Sequence, residues 1–218
     1  MSVLSKIFPI LLTLCFFLGC RKFEQEKIVA NAVPYTASNL YPIERLPSYF
    51  NRVAVLPVYH QDQDSTLLSF VDEIFQQELL QERIFEVIPI SRETMKIQFG
   101  KEMVSSTNPL PNNFLTFLEK NTQSNGVLFT EILSYRPYRP MSLSVRSKLI
   151  DLKSGELMWA IDETIDAGHA SVQLAAHQYQ SASQVRAISK KTQGSTIQSP
   201  RIFAKFVASK IFETLPNR

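Results

Sequence analysis

The densest group of side chains able to move a proton or ligate a metal is His60-Gln61-Asp62-Gln63-Asp64, one imidazole and two carboxylates within five positions. It follows an apolar run that predicts a strand, and open α/β sheets bind ligands beyond the carboxyl ends of their strands. The same residues suit a solvated loop whose acids favour the positive end of a following helix, and that is the expectation. Asp162, Thr164 and Asp166 alternate along another predicted strand, which sets two carboxylates on one face. The wet face of a hairpin carries such a pattern, because charge there discourages sheet-to-sheet aggregation. The six glycines (Gly19, Gly100, Gly126, Gly155, Gly168, Gly194) have no spacing that would cradle a phosphate. His60, His169 and His177 make no H-E-x-x-H, and no serine lies in a G-x-S-x-G elbow. The chain is therefore expected to be no enzyme and to need no cofactor or metal.

A recognition chemistry is better represented. Tyr135-Arg136-Pro137-Tyr138-Arg139-Pro140 is a tandem Tyr-Arg-Pro. Extended as polyproline II, with three residues per turn, it would align Tyr135 with Tyr138 on one edge and Arg136 with Arg139 on another. Tyr and Arg dominate interface energetics because they combine large buried area with hydrogen-bond donors. These four residues are the candidate partner contact, for a protein or an anionic glycan, with a rigid connection between strands as the plain alternative. Trp159 falls in an apolar alternation and is expected in the core.

The amino terminus says where such a contact would be made. Lys6 precedes an apolar run from Ile7 to Leu18, followed by Gly19-Cys20, the layout of a secretory signal over residues 1–19. The run is shorter than the ~20 residues that a spanning helix needs. Phe17-Leu18-Gly19-Cys20 resembles the lipobox of bacterial lipoproteins, in which the cysteine is diacylated on sulfur and becomes the new amino terminus. The resemblance implies an anchor in the lipid bilayer through acylated Cys20, palmitate being a typical chain, and at ~0.8 kcal/mol per buried methylene two or three chains hold permanently. Arg21 and Lys22 stand where an Asp would favour the inner membrane, so the outer membrane, facing the periplasm, is implied. Cys15 lies within the signal, so mature Cys20 has no disulfide partner.

Residues 20–47 lack a sustained period and carry Pro34, Pro42 and Pro47, which predicts a lipidated, flexible tether. Its reach is on the order of 50 to 80 Å at 2 to 3 Å per residue. The alternative is that Leu40-Tyr41-Pro42-Ile43 lies on the domain as an apolar arm.

Residues 48–218 read as one globular domain. With 44% hydrophobic and 20% charged residues, including 15 Phe, the 218-residue chain can bury a real core. The net charge of +3, of which Lys6 is removed with the signal, leaves no basic excess for nucleic acid. The fold class is α/β (α+β), a mixed sheet of about five strands with helices packed on it. Arg52 to Val58 is a buried strand, Leu67 to Leu79 has helical spacing with Glu78, Gln81 and Glu82 outward, and Phe85 to Ile90 is a second strand, together a βαβ unit. Two short helices lead to a third strand over 127–132. A β-hairpin over 143–149 and 157–166 turns at Lys153-Ser154-Gly155-Glu156. A Ser-, Gln- and Ala-rich insertion at about 170–200 is expected to be partly helical and partly mobile, and Ile202 to Leu215 is a closing C-terminal amphipathic helix.

The order Val-Ala-Val-Leu-Pro-Val strand, helix, Phe-Glu-Val-Ile-Pro-Ile strand, helix, and hairpin from Lys148 to Trp159 resembles a bacterial lipoprotein group. That group includes the curli-secretion channel lipoprotein and the lipoprotein activator of penicillin-binding proteins, whose domain is like the amino-terminal domain of TolB. The resemblance covers roughly residues 50–168 and 201–215. Ser124-Asn125-Gly126 departs from its usual Gly-Ala-Asp, and the polar insertion is an addition. It implies a membrane-anchored, non-enzymatic lipoprotein whose periplasmic domain binds, and regulates or scaffolds, an envelope protein complex, with a monomer favoured. A subunit of an oligomeric outer-membrane export channel is the alternative, although Pro137 and Pro140 interrupt 133–148. A membrane-anchored hydrolase using His60, Asp62 or Asp64 ranks third.

Overall fold

The computed structural model describes residues 29, 31–41, 43–61, 65–186, 197 and 199–218, the side chains of 65–69 and 183–186 excepted. The signal segment, Cys20, Asp62, Asp64 and part of the polar insertion lie outside the described residues. In chain order the elements are β1 (Leu40–Tyr41), β2 (Arg52–Val55), β3 (Tyr59–His60), α1 (Ser65–Glu82), β4 (Glu86–Pro89), α2 (Arg92–Phe99) and α3 (Phe114–Thr122). There follow β5 (Gly126–Arg136), β6 (Ser142–Asp151), β7 (Leu157–Asp166), α4 (Ala170–Arg186) and α5 (Pro200–Phe212). The sheet order is β1-β7-β6-β5-β2-β4, with β3 also beside β5. The fold is mixed α/β as expected. Its seven strands exceed the expected five because β1 and β3, two residues each, are too short to show a period.

Arg52-Val53-Ala54-Val55 is central because its apolar side chains are covered on both faces. It pairs parallel with β4 (Val53 opposite Val87) and with β5 (Val53 opposite Gly126). One face of the sheet packs on α1, α4 and α5 through Ile74, Phe75, Ala176, Phe203 and Phe206. The other packs on α2 and α3, where Met95, Phe114 and Leu118 meet Ala54, Val127 and Phe129. The Ser91 hydroxyl accepts the Thr94 N–H to start α2, and Gly100, at φ 69°, ends it.

The predicted hairpin is the antiparallel pair β6–β7, and β5 adds antiparallel to β6. A bulge between Ile132 and Ser134 leaves Leu133 unpaired and changes which residues face the larger core. Leu128 and Ile132 face it before the bulge, Tyr135 after it. The polyproline reading of the tandem is corrected here: Tyr135 and Arg136 are the last residues of β5, paired with Leu143 and Ser142.

The polar insertion begins as one helix, α4. A stripe of small residues, Val172, Ala175 and Ala176, buries it, and the Tyr179 ring meets Phe206 edge-on at 5.7 Å. On α1, Glu78 is buried instead of outward, within reach of the Tyr179 hydroxyl at 3.5 Å. Burial raises its carboxyl above the usual range, partly offset by Lys205.

Candidate contact surface

β5 is longer than its parallel neighbours. β2 pairs with it only at 126–128 and β3 at 131–132. Among the described residues no strand pairs with it beyond Ile132 on that edge, whereas β6 and β7 accompany it on the other. The result is a three-stranded end, and on its β5 edge Leu133 is 44% exposed.

Polar side chains brace this end from one face. The Ser134, Ser144 and Thr164 hydroxyls link in series across the three strands, each step 2.8 Å. Arg136 donates to Asp166 at 2.8 Å and to the Pro140 carbonyl at 2.6 Å. The other Asp166 oxygen accepts the Gly168 N–H at 2.7 Å, and the Ala167 N–H bonds to the Met141 carbonyl at 2.8 Å. Arg146 donates to Asp162 at 2.8 and 2.6 Å through two nitrogens. Asp162, Thr164 and Asp166 thus share a face, as their alternation predicts, and each already has a partner. Their chemistry is cross-strand pairing.

The four predicted contact residues separate. Tyr135 packs against the larger core and Arg136 is held by Asp166 and Pro140. Tyr138, 80% exposed, and the exposed Arg139 form the tip. Of the other predicted residues, His60 is buried in β3, and Trp159 is fully buried with its indole N–H on the Thr214 carbonyl at 3.1 Å. Among the described residues no group of three His, Cys, Asp or Glu side chains could hold a metal ion, and no helix is long and apolar enough to cross a membrane.

The second half of the expected tether lies on the domain. β1 pairs antiparallel with β7, Leu40 opposite Ile161 and Tyr41 opposite Ala160. The Glu163 carboxylate accepts the Asn39 N–H at 2.7 Å, the Ser38 hydroxyl at 3.1 Å and the Ser38 N–H. Tyr35 N–H bonds to the Ser171 carbonyl at 3.1 Å, and Leu46 N–H to the Asn217 carbonyl at 2.9 Å. Tyr35, Ala37, Leu40 and Ile43 cover core side chains, which is why this stretch settles as an arm. Burial alone would raise the Glu163 carboxyl, but the Asn39 and Ser38 N–H groups outweigh it and hold it below the usual range. Burial, then the Glu163 charge, push the Tyr35 phenol far up, so it stays neutral. A lone Glu in the inward series Trp159, Ile161, Glu163, Ile165 is the signal that could have found this clamp.

A cavity of about 310 Å³ opens beyond the carboxyl ends of β2 and β4, walled by Val55, Pro57, Phe75, Pro89 and Phe212. Its cation, Arg92, donates to Asp72 at 2.6 and 2.9 Å and to the Val58 carbonyl at 2.9 Å. That guanidinium ties α2 to α1, which gives it a structural occupation.

No protein-family model and no curated protein matches the sequence. Solved structures do share its shape. The PelC dodecamer from Paraburkholderia phytofirmans superposes with a TM-score of 0.50 at 14% identity, over 82% of this chain and 96% of that one. Lipoprotein GNA1162 from Neisseria meningitidis gives 0.45 at 16% identity, over 62% of this chain and 98% of that one. The LpoB C-terminal domain from Escherichia coli gives 0.35 at 15% identity, over 65% and 93%. The PelC likeness shows that the two chains have the same fold.

Proposed function

We propose that this chain is a lipid-anchored, non-enzymatic lipoprotein of the bacterial cell envelope, held in the outer membrane by acylated Cys20, whose periplasmic domain binds and regulates or scaffolds an envelope protein complex. The observation that carries the binding role is the three-stranded end of β5–β6–β7. It is braced from within by Arg136–Asp166 and the hydroxyl series, yet among the described residues no strand pairs with β5 beyond Ile132 on one side, where Leu133 is exposed. An exposed strand edge beside an apolar side chain is the usual template for a partner's strand.

The test places a photo-reactive amino acid at position 133 of the full, lipidated protein in cells. One discrete protein adduct, lost when Ser154 carries the probe instead, supports the reading. No adduct at 133 in the envelope overturns it.

The second reading, a subunit of an oligomeric export assembly, draws support from the PelC likeness, since that structure is a dodecamer. Light scattering on the detergent-extracted native protein, corrected for bound detergent, separates the two. A mass of many subunits favours the assembly, and a monomer or dimer favours the tethered binding module.

A further inference from the structure

The arm runs antiparallel to β7, so its amino-terminal part lies at the Asp166 end of that strand, where the β5–β6 tip also lies. A short series of contacts joins the two. Tyr35 bonds to Ser171, and three residues before Ser171 a Cβ added to Gly168 would be in ordinary contact with the Pro140 ring, at 3.5 Å. The described amino-terminal part of the arm therefore lies at the end of the domain that carries Tyr138 and Arg139. Among the described residues the two most exposed large apolar side chains are Tyr138, 80%, on the tip, and Val33, 79%, two residues before Tyr35.

Docking of the arm also shortens the leash. Ten residues lie between Cys20 and Asn31, and covalent geometry limits the reach of that span to about 40 Å at full extension. A surface kept that near the bilayer meets it at high effective concentration, so even weak contacts are populated. Tyr is suited to the interfacial layer, with an apolar ring and a polar end. An Arg guanidinium pairs with phosphate through a planar fork of donors.

We infer that the β5–β6 tip, Tyr138 and Arg139, together with Val33, rests in the phospholipid headgroup layer of the membrane that holds Cys20, so that the domain stands on the bilayer tip-down with its 152–156 turn away from it. This rests on Cys20 acylation as proposed above. It assigns the tip to lipid and leaves the β5 edge for protein.

The test uses the full lipidated protein with Tyr138→Cys, carrying an environment-sensitive fluorophore, in protein-free vesicles of phosphatidylethanolamine and phosphatidylglycerol. Mature Cys20 is blocked by its acyl group, so the new thiol is the one labelled. The expected result is a blue-shifted emission that rises severalfold over detergent-free buffer and is quenched by lipids spin-labelled near the headgroup. Ser154→Cys, at the turn roughly 30 Å away along β6, should give the emission of the aqueous label. Acylated protein whose position-138 label stays aqueous in these vesicles overturns the inference and leaves the anchor standing. A shift seen in native envelopes but not in protein-free vesicles also overturns it and makes the tip's occupant a protein. A mass spectrum without acyl chains removes the anchor and the inference together.

Discussion

The Glu163 carboxylate accepts the backbone N–H of Asn39 at 2.7 Å, tying β7 to a segment 124 residues earlier in the chain. Ser38 adds its hydroxyl and its N–H to the same oxygen, so one buried charge satisfies two consecutive backbone donors. Glutamine keeps the shape but loses the charge. Hydrogen bonds to charged groups contribute about 1.5–3 kcal/mol, so Glu163→Gln should ease arm opening by roughly ten- to a hundredfold. Amide exchange at Tyr35 and Asp162, whose N–H groups bond to Ser171 and Asn39, reads this directly. Unchanged exchange at Asp162 would show that β1 docks without the clamp.

The same carboxylate makes the arm acid-sensitive. Burial raises its pKa, but the bonded N–H groups prevail and the folded value lies below the usual one. A docked Glu163 therefore binds fewer protons than an undocked one, and docking strengthens with rising pH. The contribution is complete above the ordinary glutamate range and is lost as pH falls through the depressed value. Backbone resonances of residues 35–41 should shift together in that acid window while those of β2 hold. Asp151 is also held low. Burial opposes this, and bonds from Tyr49, Ser154 and Lys153 overcome it, so the 152–156 turn loosens in acid too. Glu163→Gln should abolish the first transition and leave the second.

Gly126 opens β5 where the Phe50 ring fills the space a side chain would need. A Cβ there would lie 2.1 Å from Cζ of Phe50, itself fully buried. Gly126→Ala must displace that ring, and overpacking of this kind costs about 1–3 kcal/mol. The urea midpoint should fall without a change in slope. Adding Phe50→Leu should recover part of the loss, because the second change removes the atom that collides; two simply additive losses would contradict the geometry.

What could be read in advance followed the strength of the periodic signal. β2 was visible as an unbroken apolar run covered on both faces, β6 and β7 as period-two alternation around the 153–156 turn, and α5 as a 3.6-residue stripe. Elements without a period were not. β1 and β3 have two residues each, and α4 packs through alanines, whose small side chains admit close approach but leave no bulky stripe. Tyr135 and Arg136 were obscured by the prolines after them, although Pro137 and Pro140 lie in the connection and break no ladder bond. Glu163 leaves one trace, a lone acid in an apolar inward series, but its partners are backbone amides of the arm, which residue type does not reveal.

Asp166 controls the rigidity of the tip more than the stability of the domain. One oxygen takes the Arg136 guanidinium at 2.8 Å and the other the Gly168 N–H at 2.7 Å, so one side chain joins the end of β5 to the turn after β7. The Arg136 side chain is 48% exposed and that of Asp166 26%, so water screens the pair. Partly exposed pairs contribute about 1 kcal/mol or less, and the melting temperature of Asp166→Asn should fall by only a few degrees. The tip should respond far more, since Arg136 also holds the Pro140 carbonyl at 2.6 Å and loses the partner that orients it. Backbone order parameters at Tyr138 and Arg139 should drop while those at Leu143 and Val145, buried in β6, stay high. Order retained at Tyr138 would mean that the Pro140 and Met141 backbone contacts alone hold the tip, and Asp166 would then be a surface charge without consequence for it.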